Sequence, residues 1–100
     1  GTHLADIAGG YDAAVTRTSS VTALDRQVVL GDSSGGSITV TLPAPEDGQL
    51  VTVKKIDSSS NSVTIATPGG QTIDGQSSIS LTNQFATREM ISNGSNYFII

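Results

Sequence analysis

Residues 50–75 read LVTVKKIDSSSNSVTIATPGGQTIDG, and this stretch decides the fold class of the 100-residue chain. Apolar and polar residues alternate over 50–56 and again over 63–67, with a loop of serines and asparagine between them. A Pro-Gly-Gly break at 68–70 precedes a third short run that ends in Asp-Gly at 74–75. Alternation bounded by turn residues is typical of half-buried antiparallel strands. The stretch therefore predicts a β domain.

The flanking sequence continues this pattern. Segment 37–42 alternates most regularly, with Ile38, Val40 and Leu42 on one predicted face and hydroxyl residues on the other. Asn93-Gly94 is a strong hairpin signal near the end of the chain. Further strands are predicted at 21–24, 27–30, 78–82, 85–92 and 96–100. About eight short strands and no convincing helix predict an all-β fold, a small antiparallel β-sandwich of jelly-roll type. Three strands have similar wording, but their unequal spacing argues against a solenoid period.

The length predicts one domain with a less regular start. Residues 1–20 are interpreted as a linker or lead-in from an upstream domain, and residues 21–100 as the β-sandwich module. Leu4 and Ile7 are spaced as on one turn of a helix, but Gly9-Gly10 interrupts it. The chain does not begin with Met, and we expect it to be a piece of a longer polypeptide.

Charge is sparse and slightly acidic. Charged residues make up 14% of the chain, against roughly 25% in ordinary soluble proteins, and 26 Ser and Thr residues take their place. A net charge of −4 argues against nucleic acid as a partner. The only adjacent basic pair, Lys54-Lys55, is interpreted as a solvated strand edge that discourages aggregation. No apolar run approaches the roughly 20 residues that a membrane-spanning helix needs.

No catalytic or metal-binding pattern is recognisable. The spacing of the carboxylates predicts no facing pair of the glycosidase kind. The only histidine is His3, in the lead-in, so a serine nucleophile has no base to activate it. The glycine-rich segment 31–36 lacks the Gly-Lys-Ser/Thr ending and the following helix that hold a phosphate. We expect no enzyme activity and no cofactor or metal.

The polar loop has two interpretations. It is either a glycan-contacting loop or a simple connection between two strands, and the sequence leaves both open. Its members are Asp57, Ser58, Ser59, Ser60 and Asn61.

The last strand is apolar on both faces. Tyr97 and Ile99 fall on one predicted face, while Phe98 and Ile100 fall on the other. A strand of this kind is either central and buried within its own chain, or has its second face covered by a neighbouring subunit. Phe98 and Ile100 are therefore candidates for a subunit interface.

A series of landmarks runs in a fixed order through the last three quarters or so of the chain. They are VVLGDSSGGSITVTLPAP at 28–45, VTVKKID at 51–57, VTI at 63–65, TIDG at 72–75, and SNG followed by NYFII within 92–100. In this order they resemble the small β-module that recurs in tailspikes, tail fibres and related virion appendages of tailed bacteriophages. Residues 1–20 take no part in the resemblance.

The resemblance implies a non-catalytic module in a homotrimeric virion protein made in the bacterial cytoplasm. Such modules assist trimerisation, cap the shaft or contact the host surface, where the partner is a bacterial polysaccharide. Digestion of that polysaccharide, where it occurs, belongs to an upstream β-helix. No ligand residue carries over from the family. The net charge and the lack of a long apolar run predict no nucleic acid partner and no membrane insertion.

Two alternatives stay open beside this reading. The first is a carbohydrate-binding domain proper, which would need a platform of exposed aromatic rings. Only four aromatic residues exist to build it, namely Tyr11, Phe85, Tyr97 and Phe98, although a groove between subunits lined by Ser, Thr and Asn could substitute. The second is a capsid decoration or head-fibre module, because head fibres use similar trimeric β-modules.

Overall fold

The computed structural model describes residues 10–100, which form nine strands in two sheets. The five-stranded sheet has the order β1-β3-β5-β8-β9, and the four-stranded sheet has the order β2-β4-β6-β7. The strands are β1 Ala13–Arg17, β2 Val21–Thr22, β3 Gln27–Gly31, β4 Ile38–Thr41, β5 Leu50–Lys55, β6 Val63–Ala66, β7 Ser78–Leu81, β8 Thr87–Ser92 and β9 Tyr97–Ile99. The all-β, two-sheet prediction is confirmed.

The first six strands alternate between the two sheets and pair in parallel within each sheet. In the five-stranded sheet β1 pairs with β3, and β3 with β5. In the four-stranded sheet β2 pairs with β4, and β4 with β6. The chain thus winds around its core in coils. These coils differ in length, because Ala13 pairs with Gln27 and Gln27 in turn pairs with Val51.

Every antiparallel pairing between these strands involves one of the last three strands. β7 pairs with β6, β8 with β5, and β9 with β8. The prediction of a purely antiparallel sheet is therefore wrong for the first six strands. Apolar alternation has the same period of two whichever way the neighbouring strand runs, so the pattern cannot distinguish the two cases. The chain coils although its sequence has no repeat period, because the connections between its strands differ in length.

The core lies between the sheets and is built from alternate residues. Val29 and Val53 of the five-stranded sheet are fully buried, as are Val40 and Ile65 of the four-stranded sheet. Leu42, just after β4, is fully buried too, and Ile38 nearly so, which confirms the predicted inner face of that strand. Thr39 and Thr41 face outward and are half-buried. Alternation in the sequence thus sets which side chains fill the core.

Two of the predicted turns are confirmed by backbone geometry. Asp74 and Gly75 have φ values of 48° and 82°, and Ile73 and Gln76 exchange backbone hydrogen bonds across them. Positive φ at both central residues defines the hairpin turn that Asp-Gly favours. Gly94, between β8 and β9, has a φ of 95°, and β9 returns antiparallel beside β8.

The lead-in assigned to residues 1–20 contains a strand. β1 lies within it and forms one edge of the five-stranded sheet. The sequence pattern does not predict β1, because Ala13 and Ala14 are weak strand formers and only Val15 packs against the core. The expected helical turn at Leu4 and Ile7 lies outside the described residues.

Gly31 at the end of β3 allows a close approach between the two sheets. A Cβ atom added there would lie 2.9 Å from both Cγ atoms of Val63, which is closer than van der Waals contact permits. Gly31→Ala should therefore lower the free energy of unfolding by about 1–3 kcal/mol, the usual cost of overpacking a core. Gly35→Ala is the control, since nothing lies within 4 Å of its added methyl group. Urea midpoints measure both, and equal midpoints would contradict this packing.

Candidate functional site

Lys55 is completely buried at the end of β5. It continues the inward phase of Val51 and Val53, while Lys54 points to the outer face. β5 is the middle strand of the five-stranded sheet, paired on both sides. The interpretation of Lys54-Lys55 as a solvated strand edge is therefore wrong, because an edge strand would leave one side of β5 without a neighbour.

The buried ammonium group has three oxygen partners. Lys55 Nζ donates to Asp57 Oδ2 at 2.7 Å, to Ser33 Oγ at 2.8 Å and to Ser59 Oγ at 3.4 Å. An ammonium group has three N–H donors, so these contacts use its full capacity. The Asp57 side chain is 8% exposed, and the ion pair is thus almost entirely removed from solvent.

Asp57 is equally well satisfied. Its Oδ1 accepts from Ser33 N at 2.7 Å and from Ser33 Oγ at 2.9 Å. Its Oδ2 accepts from Ser59 N at 3.1 Å, from Ser59 Oγ and from Lys55. Burial by itself would raise the pKa of the Asp57 carboxyl. The hydrogen bonds from Lys55, Ser59 and Ser33 outweigh burial and hold that pKa far below its ordinary value.

The network joins two loops at one end of the sandwich. Ser33 belongs to loop 32–37 and Asn61 to loop 56–62. Asn61 Nδ2 donates to Ser33 O at 2.9 Å, and Ser33 Oγ lies 3.3 Å from Asn61 O. Ser33 is fully buried, so its hydroxyl cannot reach a substrate. The geometry therefore suits fastening of the two loops rather than activation of a serine nucleophile.

This network changes which residues of the proposed glycan loop are accessible. Asp57, Ser59 and Asn61 turn their polar atoms inward, towards Lys55 and the loop that contains Ser33. Only Ser58 and Ser60 are exposed. Glycan contact by this loop stays a prediction, and it would depend on those two hydroxyls and on backbone groups.

The described residues include no group of three or more His, Cys, Asp or Glu side chains placed to hold a metal ion. No pocket opens on the surface that residues 10–100 form. Within the same range, no helix is long and apolar enough to cross a membrane.

The outer face of the five-stranded sheet carries a row of apolar side chains. Phe98 on β9 pairs with Ile91 on β8, and Ile91 pairs with Leu50 on β5. Leu50 and Ile91 are half-buried, whereas Phe98 is 41% exposed. Ile100, which is bonded to Glu89 through its backbone N–H, is 65% exposed. β9 is the edge strand, so the alternative of a central last strand is wrong.

A polar row crosses the middle of this face. Thr52 on β5 pairs with Glu89 on β8, and the Tyr11 hydroxyl reaches both side chains. It donates to Glu89 Oε2 at 2.7 Å. Burial raises the pKa of Tyr11 to about 12, with Glu89 adding to the rise and the Thr52 hydrogen bond opposing it. Tyr11 therefore lies across the sheet, close to the apolar row.

The outer face of the four-stranded sheet is different, because hydroxyl residues and one alanine cover its strands. Thr39 pairs with Thr64, and Thr64 Oγ1 lies 3.1 Å from Ser80 Oγ on β7. Its outward-facing residues are Thr22, Thr39, Thr41, Thr64, Ala66, Ser78 and Ser80. Exposed large apolar side chains therefore lie on the outer face of the five-stranded sheet and not on that of the four-stranded sheet.

The four aromatic residues do not form one platform. Tyr97 is fully buried in the core, and Tyr11 bonds to Thr52 and Glu89. Phe85 and Phe98 are the exposed pair, at 58% and 41%. They lie in different rows, since Phe85 precedes β8 and Phe98 lies on β9. The sequence offers only these four rings for such a platform.

The sequence matches no model of a known protein family and no curated protein.

Proposed function

We propose that this chain is a non-catalytic assembly module that packs against copies of itself through the outer face of the five-stranded sheet. The observation that carries the proposal is the row Leu50–Ile91–Phe98, with Ile100 beside it opposite Glu89, on a face where Phe98 and Ile100 remain in contact with water. Full burial of a large apolar side chain contributes roughly 1.5–3 kcal/mol. Association of copies would supply that burial once in each subunit.

A second copy suits this face in size and in charge. The molecule measures 37 × 32 × 19 Å, and the broad side exceeds the about 800 Å² that each partner buries in a stable interface. The strands of the face carry one cation, Lys54, and one anion, Glu89, pointing outward. A face with one charge of each sign among apolar residues can pack against the same face of other copies without net charge repulsion.

The trimeric state and the virion location come from the resemblance to phage tail modules. We propose that the module forms a homotrimer that caps or stabilises the end of a tailspike or tail fibre. The hydroxyl-rich outer face of the four-stranded sheet would then remain in water. Its lack of large apolar side chains supports that orientation.

A second function, contact with a bacterial surface glycan, is favoured by the loop end of the sandwich. Ser58 and Ser60 are exposed on a loop that the buried Lys55–Asp57 pair fixes from beneath. Preorganised polar groups lose little entropy on binding. Titration with host polysaccharide tests this function. We expect weak binding that salt does not abolish, because the surface carries little charge; strong binding that vanishes with salt would contradict it.

The assembly proposal predicts that Phe98→Glu dissociates the protein. A buried carboxylate without a partner is strongly unfavourable, so charged copies should stay apart. Ser78→Glu is the matched control, since it places the same charge at an exposed position on the other outer face. Light scattering over a dilution series should show trimer for the wild type and the control, and monomer for Phe98→Glu.

A wild type that remains a folded monomer at every concentration would overturn the proposal. Dissociation by Ser78→Glu but not by Phe98→Glu would place the interface on the four-stranded sheet, and would also overturn the proposal.

A further inference from the structure

Phe85 combines a strained backbone conformation with an exposed aromatic side chain. It lies in the turn between β7 and β8 with a backbone φ of 68°, and its side chain is 58% exposed. Bulky residues rarely adopt this left-handed conformation, because Cβ crowds the neighbouring carbonyl oxygen. Glycine would adopt it without strain and would expose no apolar surface.

Backbone hydrogen bonds hold Phe85 in this conformation. Phe85 N donates to Lys55 O at 2.6 Å, and Ala86 N donates to Asn83 O at 3.1 Å. Arg26 and Asp74 are the other described non-glycine residues with positive φ. Asp74 has a carboxylate that reaches Ile99 N, and aspartate tolerates this region well. Phe85 has no polar side-chain group to compensate for the strain.

The Phe85 ring borders the outer face of the five-stranded sheet. Lys54 Nζ lies 5.5 Å from the ring centroid, and Lys54 points to that outer face. Phe98 lies in the row of Leu50, at the opposite end of β5 from Lys54. Among residues 10–100, three of the four exposed large apolar side chains, namely Phe85, Phe98 and Ile100, are therefore on or beside one face.

We infer that Phe85 is an anchor of the subunit interface, inserted into a second copy of this chain. The inference rests on the proposed function. It adds to the proposed interface a residue that lies on the other side of the polar row from Phe98. Strained backbone and exposed aromatic surface are both unfavourable in the free subunit, and burial of the ring by a copy would offset both. The copy presents Val28 and Leu30 on the same outer face as apolar contacts.

The test separates the role of Phe85 in folding from its role in assembly. Phe85→Gly relieves the backbone strain and removes the ring. In the Phe98→Glu background, where subunits should stay apart, we expect Phe85→Gly to raise the urea midpoint. In the otherwise wild-type chain, the same change should weaken association by tenfold or more, the typical loss for an aromatic hot spot. Sedimentation over a dilution series measures the second effect.

Leu24→Ala is the control, because Leu24 is 64% exposed in the loop between β2 and β3. It removes a comparable exposed apolar side chain that belongs to no strand of the proposed face, and association should not change. A wild-type monomer would overturn the proposed function itself. A wild-type trimer that Phe85→Gly leaves unchanged would overturn only this inference and would leave the ring free for another partner. A lowered urea midpoint in the Phe98→Glu background would assign Phe85 to folding and would also overturn it.

Discussion

Lys55→Met should lower the free energy of unfolding by about 3–5 kcal/mol, the usual cost of breaking a buried ion pair from one side. Methionine fills a similar volume but offers no donor, so the carboxylate of Asp57 and the hydroxyl of Ser33 lose a buried partner. Lys54→Met is the matched control. Lys54 is the neighbouring lysine on the outer face, where its ammonium group lies over the Phe85 ring, so its loss should change stability by no more than about 1 kcal/mol.

Urea unfolding at neutral pH measures both variants, and equal midpoints would contradict the buried position of Lys55. The pH dependence gives a second readout. The pKa of Asp57 is lower in the folded protein than its ordinary value, so this group stabilises the fold above about pH 5. That stabilisation is lost as the pH falls through the unfolded pKa of about 3.9 towards the folded one. Without Lys55, we expect acid unfolding to begin at a higher pH.

Tyr97→Ala should lower the free energy of unfolding by about 3–5 kcal/mol, as other large-to-small changes at buried aromatic positions do. Tyr97 is the largest fully buried side chain among the described residues, and its hydroxyl lies 2.7 Å from Pro43 O and 3.0 Å from Gln49 Oε1. Tyr97→Phe keeps the ring and removes only the hydroxyl, so it should cost about 0.5–1.5 kcal/mol. Calorimetric melting temperatures of the two variants separate the ring from the hydrogen bond.

If both Tyr97 variants lowered the melting temperature equally, the ring could not be the main contributor to stability at this position. Alkaline pH gives an independent check. Burial, with smaller contributions from Asp25 and Glu46, raises the pKa of Tyr97 to about 12. The folded pKa exceeds the unfolded value of about 10, so the stabilisation is present below pH 10 and is lost between about pH 10 and 12. Tyr97→Phe should remove that part of the alkaline unfolding.

Local chemistry in the sequence determined the strands and the faces of most of them. Val40 faces inward and Thr39 outward because side chains alternate along any strand. Asp74-Gly75 forms a turn because these residues accept positive φ. Phe98 was a candidate for an interface because the last strand is apolar on both faces, and Phe98 is exposed in the structure. None of these properties depends on distant contacts.

The tertiary structure alone decided which strands are neighbours and in which direction they run. Lys55 follows Val51 and Val53 in the inward phase, which was the one signal of its burial in the sequence. A lysine at this position is expected on the surface, because its burial depends on Ser33 and Asp57, which accept its hydrogen bonds from two different loops. The buried ion pair therefore depends on parallel pairing of β3 and β5, which brings the loops that follow these two strands to the same end of the sandwich.

The strained conformation of Phe85 likewise has no signal in the sequence. It arises where the turn enters β8 and its backbone N–H must meet the carbonyl oxygen of Lys55. Pairing direction and loop contacts are set by the packing of the whole chain. Alternation and turn chemistry are local, and they determine only the strands and faces that enter that packing.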